Sequence, residues 1–236
     1  MNEAAAASQE APGWYGKIAS LGDFAHRRLP HDAIQRIDAW LSDAMAASRQ
    51  QLGPQWPDAY LTAPLLRFAW TPEVEGPKWW FGVLMPSCDN VGRYYPLIVA
   101  QRRTQAPQGA DALDHLEAWF DHIGEAAAST LDEQTSLAGF EQALSNAPPW
   151  PPSGAQLTLK MRPVAGGERH CLDDRGSIAQ WLQALATEAL QSRFGGCSIW
   201  SSRAPDEPGA VVTVLQGLPD ASAFATLLTT RIQAPG

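Results

Sequence analysis

Apolar residues recur at helical spacing through residues 32–52, where Ile34, Ile37, Leu41, Met45 and Leu52 share one face. Asp32 followed three residues on by Gln35 resembles a capping box and predicts Asp32 as the N-cap, with Gly53-Pro54 as the stop. Ahead of this helix, Trp14 to Ala19 reads as a short strand that carries Lys17 and ends in a Gly22-Asp23 turn. Behind it come three apolar runs, Leu65–Trp70, Trp79–Met85 and Tyr94–Gln101, each bounded by Pro, Gly or Asn as strands are. Their connections are too short for crossover helices, which predicts antiparallel pairing. Adjacent strand residues point to opposite faces, so Trp79-Trp80 and Tyr94-Tyr95 each predict an aromatic on both sides of the sheet. A sheet that is apolar on both faces needs a cover on both.

The second half supplies covering helices. Asp111–Ser129 places Leu113, Leu116, Phe120, Ile123 and Ala127 at helical spacing, and a shorter helix is predicted from Ser136 to Leu144. The Pro-rich stretch from Pro148 to Pro152 reads as a connecting turn, and Gln156–Met161 as a strand. Ser177 is the predicted cap of a helix with Ile178, Trp181, Leu182, Leu185 and Ala189 inward, stopped by Gly195-Gly196. Ser198–Ser202 and Val211–Gln216 read as strands, and Asp220 opens a last helix with Phe224, Leu227 and Leu228 inward. The expectation is an α/β (α+β) fold, a mainly antiparallel sheet covered by helices on both faces as a three-layer sandwich. Residues 1–12 read as a disordered tail and 13–236 as a single domain, strand-rich over 13–103 and helix-rich over 104–236.

Composition narrows the functional classes. The net charge is −8 with pI about 5.0, which argues against nucleic-acid binding. Ten basic and ten acidic residues balance over 1–103, and the whole acidic excess falls after residue 103. Three widely spaced cysteines, Cys88, Cys171 and Cys197, suggest neither a disulfide framework nor a zinc knuckle. The acidic N-terminus lacks an apolar signal core, and no apolar run reaches the roughly 18 residues of a membrane span. A cytoplasmic protein without direct membrane insertion is expected. Ten tryptophans serve equally as core volume or as interface anchors.

Candidate chemistry is sparse. Lys17 lies in Gly-Lys-Ile, without the P-loop spacing and without a helix directly after it. His115 and His122 sit two helical turns apart, about 10.5 Å, too far for one metal ion, and off the apolar stripe, which predicts solvated positions. No nucleophile elbow or dinucleotide fingerprint is present, and neither a metal nor a cofactor is expected. Two loops stand out: Gly22-Asp-Phe-Ala-His-Arg-Arg-Leu-Pro30 and Pro86-Ser-Cys-Asp-Asn-Val-Gly-Arg-Tyr-Tyr-Pro96. Each joins glycine turns, an aspartate, arginine and aromatics. Asp23 or Asp89 could pair with Arg27, Arg67 or Arg93 to hold the loops, and arginine with aromatics also suits a protein contact.

Taken in order, these blocks carry a family resemblance. Gly13-Trp-Tyr-Gly-Lys17 with Gly-Asp-Phe24 and Arg28, Ala59-Tyr-Leu61, Leu66-Arg-Phe68, Gly82-Val-Leu-Met-Pro-Ser87 and Val91-Gly-Arg-Tyr-Tyr-Pro-Leu97 resemble the TagF family of type VI secretion accessory proteins. Ser198-Ile-Trp200 with Gly217-Leu-Pro219 extends the likeness. The resemblance implies a non-enzymatic cytoplasmic regulator that represses secretion-system assembly after translation. It would do so by binding the system's forkhead-associated-domain scaffold protein. The residues expected at the partner-binding or signature surface are Lys17, Asp23, Phe24, Arg27, Arg28, Arg67, Asp89, Gly92 and Arg93. The alternative is a small-molecule-binding protein or hydrolase using the Lys17/Asp23 and Cys88/Asp89 loops. A third reading makes both loops fold determinants and puts the partner surface on the acidic helices of the second half.

Overall fold

The computed structural model of the chain describes residues 11–21, 23–89, 91–132, 134–151, 160–171, 177–202 and 209–229. Its frame is a seven-stranded sheet. The strands are β1 (Gly13–Gly16), β2 (Ala25–Arg27), β3 (Leu66–Trp70), β4 (Trp79–Met85), β5 (Leu97–Arg103), β8 (Cys197–Ser202) and β9 (Val211–Gln216). They lie in the order β2-β1-β5-β4-β3-β8-β9, with every neighbouring pair antiparallel. A separate hairpin pairs β6 (Lys160–Val164) with β7 (Gly167–Cys171).

Side-chain alternation divides the core in two. Trp80, Leu84, Ile98, Phe68 and Trp200 face one layer, built from α1 (His31–Leu52), α2 (Trp56–Leu61) and α6 (Ala221–Thr229). Trp79, Phe81, Val83, Val99 and Trp14 face the other, built from α3 (Ala110–Ser129) and α4 (Leu137–Ser145). Fully burying each such side chain contributes roughly 1.5–3 kcal/mol. The Trp79-Trp80 pair splits between the two cores as the pleat requires, and the three-layer sandwich follows. The close stacking of strands leaves no space at Gly82, where a Cβ would lie 2.2 Å from the Val99 carbonyl oxygen.

Several boundaries differ from the sequence reading. The third run becomes a regular strand only at Leu97, because Pro96 interrupts the ladder and Tyr94 makes a single bridge to Cys88. Off the regular pleat, Tyr94 and Tyr95 both pack toward the first core rather than on opposite faces. Strand β1 ends at Gly16, so Lys17 lies just past it rather than within it. Gly16 has a φ of 138°, and a Cβ there would meet the Pro96 carbonyl oxygen at 2.1 Å. Asp32 is not the N-cap of α1; extended Pro30 precedes the helix, and Asp32 pairs with Arg36 one turn on. Helix α2 was not anticipated; its Trp56 and Tyr60 are both buried.

On α3, Leu113 is exposed and Trp119 takes the inward position. His115 is exposed as expected, but His122 is half-buried and its Nε2 donates to the Ala143 carbonyl at 2.8 Å. Helix α5 (Ile178–Phe194) departs most: Ile178 and Leu182 are exposed, Ala189 is exposed too, and none of its described residues is fully buried. Ser136 caps α4 as expected, its hydroxyl accepting from the Gly139 amide. The strand expected over 156–161 is described only from Lys160, and 156–159 lie outside the described residues, as does Gly22 of the first turn. So do residues 1–10 of the expected tail; Pro12, by contrast, is buried and its carbonyl accepts from Arg28 Nε at 3.0 Å.

Candidate functional site

The two loops meet at one end of the sheet, where β1 stops, β4 stops and β5 begins. Lys17 is the join. Its Nζ reaches Asp89 at 2.6 Å, its carbonyl accepts from the Ser87 hydroxyl at 2.9 Å, and its ammonium lies 4.9 Å from the centre of the Phe24 ring. The pair is buried, with side chains 4% and 0% exposed. Asp89 also accepts from Arg93 Nε at 2.6 Å and from the backbone amides of Arg93 and Val91. Burial alone would push the Asp89 carboxyl up; the donors from Lys17 and Arg93 outweigh it and hold the group well below the usual carboxylate range. Gly92, at φ 79°, lets the chain turn back, and its amide donates to the Asp89 carbonyl at 3.0 Å.

Aromatics wrap this join. Phe24 is 46% exposed and packs edge-on to Tyr95 at 4.7 Å, with Tyr15 stacked behind it. The Tyr15 and Tyr95 hydroxyls both donate to Asp38 Oδ1 on α1. Desolvation and the adjoining carboxylate push both phenols above their ordinary value, so both stay protonated donors. From α2, Tyr60 donates to the Ser87 carbonyl at 2.9 Å and accepts from its amide, fixing the base of the second loop.

Eight of the nine expected residues separate into three groups, and Asp23 stands apart. Lys17, Phe24, Asp89, Gly92 and Arg93 form the loop junction. Arg28 and Arg27 turn instead to Glu141 of α4, Arg28 through two bonds of 2.6 and 3.2 Å and Arg27 at 3.7 Å. Trp14 Nε1 donates to the same carboxylate, and although burial opposes it, these donors lower the Glu141 pKa. Arg28 sits at φ 59°, a left-handed conformation held by its contacts to Pro12 and Glu141. Arg67 on β3 faces α3, pairing with Glu117 at 2.6 Å and with Asp121. Asp23 is exposed and accepts from the Phe24 amide at 2.8 Å. Cys88 is half-buried in the second loop, bridged to Tyr94 across it.

Sequence reasoning overlooked Asp38 and the acidic partners Glu117, Asp121 and Glu141, and gave no individual role to Tyr60 and Ser87, which stand in the signature blocks. Asp38 carried a signal, because a carboxylate at that position stands on the apolar stripe of Ile34 and Leu41. Glu141 carried none. Among the described residues, no His, Cys, Asp and Glu cluster could hold a metal ion, and no helix is long and apolar enough to cross a membrane.

Residues 13–147 match the family model described as TagF N-terminal domain, type VI secretion system-associated. The chain belongs to the TagF family. The matched segment contains all three side-chain groups, including the TagF-family chain's Glu117, Asp121 and Glu141, and ends just beyond α4. The TagF-family fold here is also similar to the crystal structure of PA0076 from Pseudomonas aeruginosa PAO1. Identity is 36% over 96% of this chain and 99% of that one, with a TM-score of 0.71. A search of curated proteins finds no match. This TagF-family chain is thus associated with type VI secretion.

Proposed function

We propose that this protein is a non-enzymatic, cytoplasmic regulator that represses type VI secretion assembly after translation by binding the forkhead-associated-domain scaffold of the system. The contact lies at the loop end of the sheet. One observation carries this reading: a buried ion-paired base presents exposed side chains of the types that anchor protein interfaces. Phe24 is 46% exposed and Val91 69%, and the Arg93 side chain is 59% exposed. An aromatic and an arginine on a rigid support lose little conformational freedom on binding. Lys17 and Asp89 then act as the support, and Arg28 and Arg67 as fold-holding cations paired within the chain.

The hydrolase alternative needs a carboxylate available to take a proton. Asp89 is engaged by Lys17 and Arg93, which supports the binding reading over it. Capture of purified scaffold by the full chain is the test. Phe24→Ala and Val91→Asp should weaken capture strongly while the melting temperature stays near wild type. Capture by both variants at wild-type level would overturn the assignment of the loop end.

A further inference from the structure

Strands β8 and β9 carry the sheet past the helix layer of α3 and α4. In register, Arg67 opposes Ser201, Ala69 opposes Ile199, Ser201 opposes Val212 and Ile199 opposes Val214, which puts these side chains on one face. On that face Val212 is 62% and Val214 41% exposed, and Ile199 and Ala69 are half-buried. The alternate residue Leu215 turns the other way, against the first core. Between this bare strip and α3 runs a groove of about 680 Å³, walled by Leu65, Phe120, Gly124, Ala128, Ile199 and Val212.

Size and charge identify what fits. Two strands spaced about 4.8 Å apart make a strip about 10 Å wide, and one helix with its side chains is about 10–12 Å across. The strip left open by the described residues is therefore one helix wide; Gly124 is buried against Leu65, and exposed Ala128 leaves room beside α3. The α3 wall carries Glu117, Asp121 and Glu125, spaced one helical turn apart on a single exposed stripe. Arg67, the basic side chain lining the groove, already pairs with Glu117 and Asp121, so the three carboxylates leave the wall with a net negative charge. A helix bordered with Lys or Arg would complete the charge, and an acidic one would be repelled. The chain's own α5 has exposed Ile178 and Leu182, yet its charges are Glu188 and Arg193, so it lacks such a border.

We propose that the β8–β9 face is a docking groove for a basic amphipathic helix of a partner protein. This surface is separate from the loop end and does not depend on the scaffold being the partner. The probe is a fluorescein-labelled synthetic peptide of about 18 residues, long enough to form helix, with leucines on one face and lysines along its border. A second peptide carries glutamate for lysine. Anisotropy titrations use the full chain. The lysine peptide should bind at least about ten-fold tighter than the glutamate peptide, equivalent to about 1.4 kcal/mol.

Val212→Asp combined with Val214→Asp should weaken the lysine peptide about ten-fold; both sites are exposed, so folding survives. Glu117→Lys with Glu125→Lys should abolish the preference, and Asp43→Lys with Asp58→Lys, the same charge change on the α1–α2 side, should preserve it. Equal binding of the two peptides overturns the proposal, as does equal sensitivity to both charge-reversal pairs. A dimer in sedimentation that is lost in Val212→Asp would assign the face to a second copy and overturn it as well. Scaffold capture by the groove variants separates the two proposals, because the loop-end reading requires it to persist.

Discussion

The Lys17 ammonium and Asp89 carboxylate have both left water, and the loss of hydration is offset only because the carboxylate finds several donors while the ammonium meets Asp89 and the Phe24 ring. Removing one charge strands the other. Lys17→Met should therefore lower the melting temperature by more than Arg93→Ala, since the Arg93 side chain is 59% exposed and Asp89 would still keep Lys17; equal melting temperatures would refute the ranking. The acid side of the stability curve tests the same carboxylates. Asp89 and Glu141 both titrate lower in the folded chain than their ordinary values near 4. Their contribution is complete above that value and is lost as pH falls through the folded pKa. Melting temperatures should be flat from about pH 7 to 5 and fall below about pH 4, and Arg28→Ala should show a shallower acid loss, having given up the Glu141 share. At this scale the sequence was legible where an aspartate and a cation lay in one loop, as with Asp89 and Arg93. It was not where the partner lay far along the chain, as Glu141 does from Arg28, 113 positions away.

Elements were legible where periodicity and punctuation agreed. α4, α6 and the β4, β8 and β9 strands stand within a residue or two of expectation because caps, glycines and apolar spacing pointed the same way, and α1 does so on its apolar spacing and Gly53 although Asp32 is not its cap. Asp220 shows the cap at work: its Oδ1 accepts from the Ala223 amide at 2.8 Å at the start of α6. Asp220→Ala should cost about 1 kcal/mol of stability, measured by urea unfolding, with no change in the slope of the transition. Helix α5 was misread for a physical reason. Its apolar residues do fall at helical spacing, but spacing says which residues share a face and not whether anything lies opposite them. The same limit hid the bare face of β9, whose alternating pattern reads as an ordinary half-buried strand.

At the scale of the whole molecule, the sandwich was predictable from paired aromatics on β4, but the strand order was not, because nothing local states that β3 joins β8. That join sets a schedule for the chain as it is made. The Thr71 hydroxyl that accepts from the Cys197 amide lies 126 positions ahead of it. At 5–20 residues per second, β3 emerges roughly 6–25 s before its second neighbour exists. During that interval the middle of the final sheet is an open edge bearing Phe68 and Trp70, a template for strands of other nascent chains. A fragment of residues 13–147 would hold that condition permanently and should be recovered largely as aggregate, whereas the full chain should be recovered in solution. A nascent chain of this protein thus depends, for the time it takes to add its last two sheet strands, on whatever shields an unpaired β3 at the ribosome.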